Sequence, residues 1–441
     1  MTDLTITDDV TCLGCGCTCD DIVAAVRDGR IVEARNACEL GLRWFGSGEI
    51  PSSCLVDSIK SPFEDAVAAL VDRLDRSVRP LIFLAPGVSS EAQREAFALA
   101  DLLHARLDTI SSATVTPFIV ASQEMGYASA TLGDIRHRAD VVVFWAIDLA
   151  SRYPRFVERY VPNVGALHVA DGRRTIIAVD IGTATASVDT THRVSLDPDD
   201  ELATLRALDS IVRTAPGLLT RGNPGAPAWA TAHQLAPTLL GARYVVIIYD
   251  AEPDDRVPRS ALRFSAFASL GQSLNDRTRS ATVAMRAGGN RSGADANLVA
   301  QTGYPFGVDF ASGAPCYDPW RGSATELGRR GEADAVIVVG DATGLPRELA
   351  QELHRLPTAT IGPRASHVSL APESIAIDTG VDGIHASGTA FRADDVPLLL
   401  RPSLSGHRSS VDVLRSIRRA LMQREAGSSR DTSRVSAGSA P

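Results

Sequence analysis

The stretch 81–104, LIFLAPGVSSEAQREAFALADLLH, decides how the chain folds. Its first five residues are apolar at every position, a run of strand length. Pro86-Gly87 turns the chain. Ser89 then stands where the first helical N–H groups need an acceptor, so a helix is expected through about His104. A strand that is apolar on both faces is covered on both, which is the habit of parallel strands joined by helices.

The same texture continues outward. Residues 62–76 carry apolar side chains at helical spacing. The runs 141–146 and 175–180 read as further strands, the first preceded by a helix-like stretch with Asp134 and Arg136, and 200–212 reads as a helix. A Gly- and Pro-containing loop at 215–227 leads into a second block, with strand 244–249, helix 259–270 and strands 335–339 and 359–361. Between these lies 286–331, with nine glycines, expected to be irregular and to line a site or an interface. The Ser-, Gly- and Arg-rich tail from 425 is expected to be disordered. The expected class is α/β with Rossmann-like parallel sheets: a first α/β domain over 56–214, a second over 228–424 with segments exchanged between sheets, and a small Cys-rich β unit over 1–55. Ligands of such sheets bind at the carboxyl ends of the strands.

At roughly 150 residues per domain, 441 residues make about three domains. Acidic residues outnumber basic ones, 53 to 44, giving a net charge of −9, which argues against nucleic acid or an anionic membrane as the main partner. Residues 1–11 are polar and acidic, and no run reaches the ~18 apolar residues of a membrane span. The sequence therefore predicts no secretory signal and a cytoplasmic location, where clustered cysteines point to metal or redox chemistry before disulfides. Lys60 is the sole lysine, so a Walker A lysine is absent. The nine histidines form no His-x-His or His-Glu-x-x-His pattern, so a hydrolytic zinc site would have to sit on a partner.

Cys12, Cys15 and Cys19 follow an x2/x3 spacing, and Cys38 follows after eighteen intervening residues. A tight loop with three thiolates and a distant fourth suits an iron–sulfur cluster. A four-thiolate zinc site accepts similar spacing. Gly14 and Gly16 let the backbone wrap closely, and Cys17 is a spare or an alternative ligand.

The stretch CLGCGCTCDDIVAAVRDGRIVEARNACELGLRWF (12–45) resembles the B-type subunit of formylmethanofuran dehydrogenase, a family of molybdopterin oxidoreductases. So do QEMGYASATLGDIRHRADVVVFWAIDLASRYPRF (123–156), IIAVDIGTATAS (176–187), QTGYPFGVDFASGAPCYDP (301–319) and GTAFRADDVPLLLR (388–401). The resemblance implies parallel sheets of the molybdopterin oxidoreductase type and a [4Fe-4S] cluster on Cys12, Cys15, Cys19 and Cys38. One branch of the family reduces CO2 on a tungsten- or molybdenum-pterin. The other works in a formyltransferase/hydrolase complex that releases formate without a redox step.

The positions that the resemblance assigns to catalysis decide between the branches. The redox members place a metal-binding cysteine and a histidine about nine residues before the Gln123-Glu124-Met125-Gly126 segment, and here those positions read Thr114-Val115. A threonine hydroxyl does not ionise and is a poor ligand for a soft centre. Arg286 is kept, but the histidine expected shortly after it reads Gly288. Asp180, at a strand end that would hold the pterin dinucleotide, is followed by Ile181-Gly182 and lacks the phosphate-pairing arginine. Glu39 replaces a basic residue after Cys38. The expectation is a chain with no catalytic residue of its own, with Asp180 and Arg286 as remnants of the pterin site and no metal-pterin bound. It would be a scaffold for the hydrolase, formyltransferase and β-helical subunits of one complex. The alternative is an active tungsten- or molybdenum-pterin subunit interconverting CO2 and formyl-methanofuran.

Overall fold

The computed structural model describes residues 4–162, 167, 169, 173–214, 225–253, 257, 260–368 and 374–437, with side chains to 426. The opening stretch forms the strand Pro80–Leu84, buried at every residue, and the helix Ser90–Leu102. Ser89 is the N-cap residue, but its side chain makes no capping bond, and its own amide donates instead to the carboxylate of Asp382 at 2.7 Å.

Two sheets dominate the molecule. The first is wholly parallel, in the order His192–Leu196, Thr175–Ile181, Val141–Trp145, Tyr244–Asp250, Arg279–Met285. The second has nine strands. Its five central strands, Arg106–Thr109, Pro80–Leu84, Ala335–Val339, Thr358–Gly362 and Ser374–Asp378, are parallel. Short antiparallel strands close both edges, Val308–Asp309 and Cys316–Tyr317 on one side, Cys54–Val56 and Ile59–Lys60 on the other. The expected halves, 56–214 and 228–424, each give strands to both sheets. The five-stranded sheet is built entirely from residues 141–285, which interrupt the strands of the larger one.

Strand order reverses once in each sheet. In the smaller one the chain runs outward from Val141–Trp145 and then returns to the other side of that strand with Tyr244–Asp250. In the larger one Ala335–Val339 returns beside Pro80–Leu84. The carboxyl ends of such pairs leave a crevice, the usual ligand position in an open parallel sheet.

The N-terminal unit is an antiparallel sheet of Thr5–Val10, Ile22–Arg27 and Arg30–Arg35. Asp28 and Gly29 both have positive φ, 53° and 73°, as a two-residue hairpin turn requires. The stretch 286–331, expected to be irregular, contains the helices Arg291–Thr302 and Ala324–Arg329. Its glycines and polar residues give a weak helical pattern that tertiary packing overrides. The helix Ser410–Ala437 buries Val413, Leu414, Ile417 and Leu421 against Phe63–Arg76 and Ser90–Leu102. It runs on past 425, where disorder is expected, because extending a nucleated helix is far easier than starting one. Among the described residues no helix is long and apolar enough to cross a membrane.

Candidate functional site

The cysteine loop lies over the segment 286–289, beside the crevice of the five-stranded sheet. Cys12, Cys15, Cys17 and Cys19 are buried and Cys38 is half-buried at the head of the helix Glu39–Phe45. The Cys12 amide donates to the Cys19 carbonyl at 2.8 Å and the Thr18 amide to the Cys15 carbonyl at 3.1 Å, closing the loop. The Gly289 amide holds the Leu13 carbonyl at 2.9 Å, and the Ala393 amide holds that of Gly16 at 3.0 Å. Gly16 rests so tightly on the Arg286 carbonyl that a Cβ would collide with it.

Burial pushes the Cys12 thiol up, and Cys15, Cys19 and Cys38 all add to that rise, so the four sulfurs share one neighbourhood. Burial also pushes Cys19 up, to about 11, against the pull of Arg159. Cys15 and Cys17 hydrogen-bond to each other, which holds the Cys15 thiol low and raises that of Cys17. Among the described residues no three His, Cys, Asp or Glu side chains close on a single metal ion.

The crevice at the carboxyl ends of Val141–Trp145 and Tyr244–Asp250 is filled by the chain's own charges. Arg286 is buried, and donates to Glu252 at 2.9 Å, Asp295 at 3.0 Å and the Ser111 hydroxyl at 2.8 Å. Arg291 takes the second Glu252 oxygen at 2.6 Å. Beside them Asp250 accepts from Arg152 at 2.7 Å and from the Tyr153 hydroxyl at 3.3 Å. Burial works against the charge of Arg286, but Asp295 and Glu252 outweigh it and keep the guanidinium ionised. For Glu252 burial is likewise outweighed, by Arg291 and Arg286, and its carboxyl is held low. Sequence pattern did not single out Glu252 or Asp295; the only local signal is an acid two residues beyond an apolar strand.

The other predicted positions lie around this network. Thr114 ends the short helix Ile110–Thr114 and is half-buried, its hydroxyl donating back to the Ile110 carbonyl at 3.2 Å. Val115 is fully buried in the apolar core. Gly288 sits directly on the cysteine loop, where a Cβ would lie 2.7 Å from the Cys15 nitrogen and nearer still to the Leu13 carbonyl. Asp180 accepts the Ala186 amide at 3.1 Å and forms an ion pair with Arg193. Glu39 is exposed and faces Arg43 at 3.7 Å. The structure thus brings Gly288, Arg286 and the cysteines together and leaves Asp180 in its own turn.

No family model matches the sequence. The B-type subunit of the tungsten-containing formylmethanofuran dehydrogenase 2 of Methanocaldococcus jannaschii is 28% identical over 407 residues, covering 89% of this chain and 92% of that protein. The same-named protein of Methanococcus maripaludis is 27% identical over 412 residues, 89% of this chain and 93% of its own length. The chain is a homologue of the B-type subunit of formylmethanofuran dehydrogenase. The B-type subunit of the formyltransferase/hydrolase complex Fhc of Methylorubrum extorquens is 28% identical over 344 residues, 74% of this chain and 84% of that protein. A chain in the crystal structure of that complex with methylofuran superposes with a TM-score of 0.71 at 23% identity, over 85% of this chain and 100% of that one. At that identity the superposition speaks for the fold.

Two of these homologues are named as tungsten proteins, so the fit of a metal-pterin to this chain's residues matters. They fit it poorly. The positions that would carry a soft ligand and a proton donor hold a back-bonded threonine and a core valine. The glycine in place of the second histidine has no space for a side chain. The arginine that could meet an anion is saturated by two carboxylates and a hydroxyl. The thiol set has the composition an iron–sulfur group needs: four buried or half-buried cysteines, three from one tight loop and the fourth from the head of the helix Glu39–Phe45.

Proposed function

We propose that the chain is the B-type subunit of a formyltransferase/hydrolase complex in tetrahydromethanopterin-linked one-carbon metabolism. There a formyl group passes to a methanofuran-like carrier and is released as formate. In this reading the chain is a non-redox scaffold to which the hydrolase, formyltransferase and β-helical subunits attach, and the hydrolytic chemistry sits on a partner.

The observation that carries the reading is Arg286. Its guanidinium, at the switch point where a ligand would lie, is spent on Glu252, Asp295 and Ser111. Opening that network to admit an anionic cofactor would strand the buried Asp295 and leave Glu252 to Arg291 alone, at a cost of about 3–5 kcal/mol. A cluster on Cys12, Cys15, Cys19 and Cys38 is compatible with this role. It would supply one-electron transfer, and here it would chiefly tie the loop to the helix Glu39–Phe45.

A second reading, an active tungsten- or molybdenum-pterin subunit, draws support from the two tungsten-containing homologues, which span 89% of this chain. Purification of the native complex, with elemental analysis and a formate assay, separates the two. We expect formate release from formyl carrier with neither tungsten nor molybdenum present. Either metal at one per chain would overturn the scaffold reading.

A further inference from the structure

The short helix Phe156–Tyr160 packs on the cysteine loop. Arg159 donates one guanidinium nitrogen to Asp20 and the other to Asp21, both at 2.6 Å. Arg155 grips Asp21 with two bonds of 2.8 Å. Asp20 and Asp21 directly follow Cys19, so these pairs fix both arginines against the end of the loop. Arg159 also lies within electrostatic reach of Cys19, Cys15 and Cys17. Its guanidinium stands 5.5 Å from the centre of the Tyr160 ring, whose hydroxyl donates to the Cys17 carbonyl at 3.4 Å. Arg392 faces the same ring at 5.6 Å.

The arrangement places a cation where a resident metal–thiolate group would concentrate negative charge. We propose that Arg159 is a positioning residue of the cysteine site, orienting Cys19 for ligation and compensating the charge of an iron–sulfur cluster on Cys12, Cys15, Cys19 and Cys38. This rests on the cluster reading above. Arginine suits the task because its planar fork reaches two carboxylates and still has an N–H for sulfur. Its side chain is only 16% exposed, so water screens it weakly. A basic residue was expected beside the cluster at position 39, which is glutamate; the structure brings the cation from a segment 140 residues beyond Cys19.

The test is anaerobic reconstitution of the full chain with iron and sulfide, for wild type, Arg159→Met, Arg159→Lys and Asp20→Asn. Iron and acid-labile sulfide per chain, midpoint potential and iron release to a chelator are read for each. The Met variant should release iron several-fold faster and have a lower midpoint potential, because loss of a nearby positive charge disfavours the added electron. The Lys variant should fall between, and carries the same test should the Met variant not fold. Asp20→Asn removes a carboxylate beside Arg159 and leaves the guanidinium in place, so its potential should move the opposite way from the Met variant's. A Met variant with unchanged potential and release overturns the role of Arg159 alone. A wild-type chain that takes up no iron overturns the cluster reading and this inference with it.

Discussion

Gly288 shows how a position read as a lost catalytic residue acquires a packing reason. In the resemblance it is a missing histidine; in the structure it is the surface on which the Leu13–Cys15 backbone lies. Gly288→Ala must push that backbone away. A forced shift of this kind in a packed interior costs about 1–3 kcal/mol. We expect a fall in thermal midpoint and a drop in iron uptake together, since the displaced segment carries Cys15. Circular dichroism melts and iron analysis of the same sample check this. An alanine variant with wild-type stability would mean that the cysteine loop does not press on residue 288. Restoring a histidine there would be worse than alanine on the same steric ground, so the redox site cannot be rebuilt by substitution at this position alone.

At the scale of elements, the two strand–helix crossovers and the segment 286–290 are tied by Arg286. It links the end of Arg279–Met285 to Glu252 beyond Tyr244–Asp250, to Asp295 in the helix Arg291–Thr302, and to Ser111 in the helix Ile110–Thr114. Arg286→Met keeps much of the volume but leaves Asp295 unpaired and Glu252 with Arg291 alone. The expected loss is about 3–5 kcal/mol, read as a lower denaturant midpoint with an unchanged m-value; a loss under about 1 kcal/mol would show that the network is not closed around it. These ties also mark what the sequence could not reveal. Uniformly apolar runs announced Pro80–Leu84, Val141–Trp145 and Ala335–Val339 nearly to the residue, because a strand buried on both faces must be apolar throughout. Arg106–Thr109 escaped notice because Arg106 is half-buried in ion pairs and Asp108 is buried on backbone amides. The cysteines were legible because their spacing is local. Arg159, Glu252 and Asp295 were not, since their meaning lies in contacts between distant segments that no local pattern encodes.

For the whole molecule, buried carboxyls set how stability responds to pH. Burial raises Asp108, Asp250 and Asp382 from near 3.8 to about 6 each. Each therefore binds a proton in the folded chain at a pH where the unfolded chain has released it. Stability from such a group is full below the unfolded value and is lost as pH rises through about 6. The complete effect is about 3 kcal/mol per group. His385 works the other way. Burial and the neighbouring His407 lower it from 6.5 to about 4, so its contribution is lost as pH falls through that window. Burial also raises Asp295 and Asp395, so five carboxyls against one imidazole leave a net gain on mild acidification. The thermal midpoint should rise between pH 7.5 and 5.5, in the absence of added metal, and turn down only when Glu252 and the other carboxyls held low begin to protonate. Asp382 is the cleanest probe, since among the described residues its carboxylate is met by Ser89 alone, whose amide donates to it at 2.7 Å. Asp382→Asn keeps that acceptor and removes the buried charge. It should raise the midpoint at pH 7.5, leave it nearly unchanged at pH 5, and so flatten the profile; a variant whose profile parallels wild type would show that Asp382 does not titrate in this range.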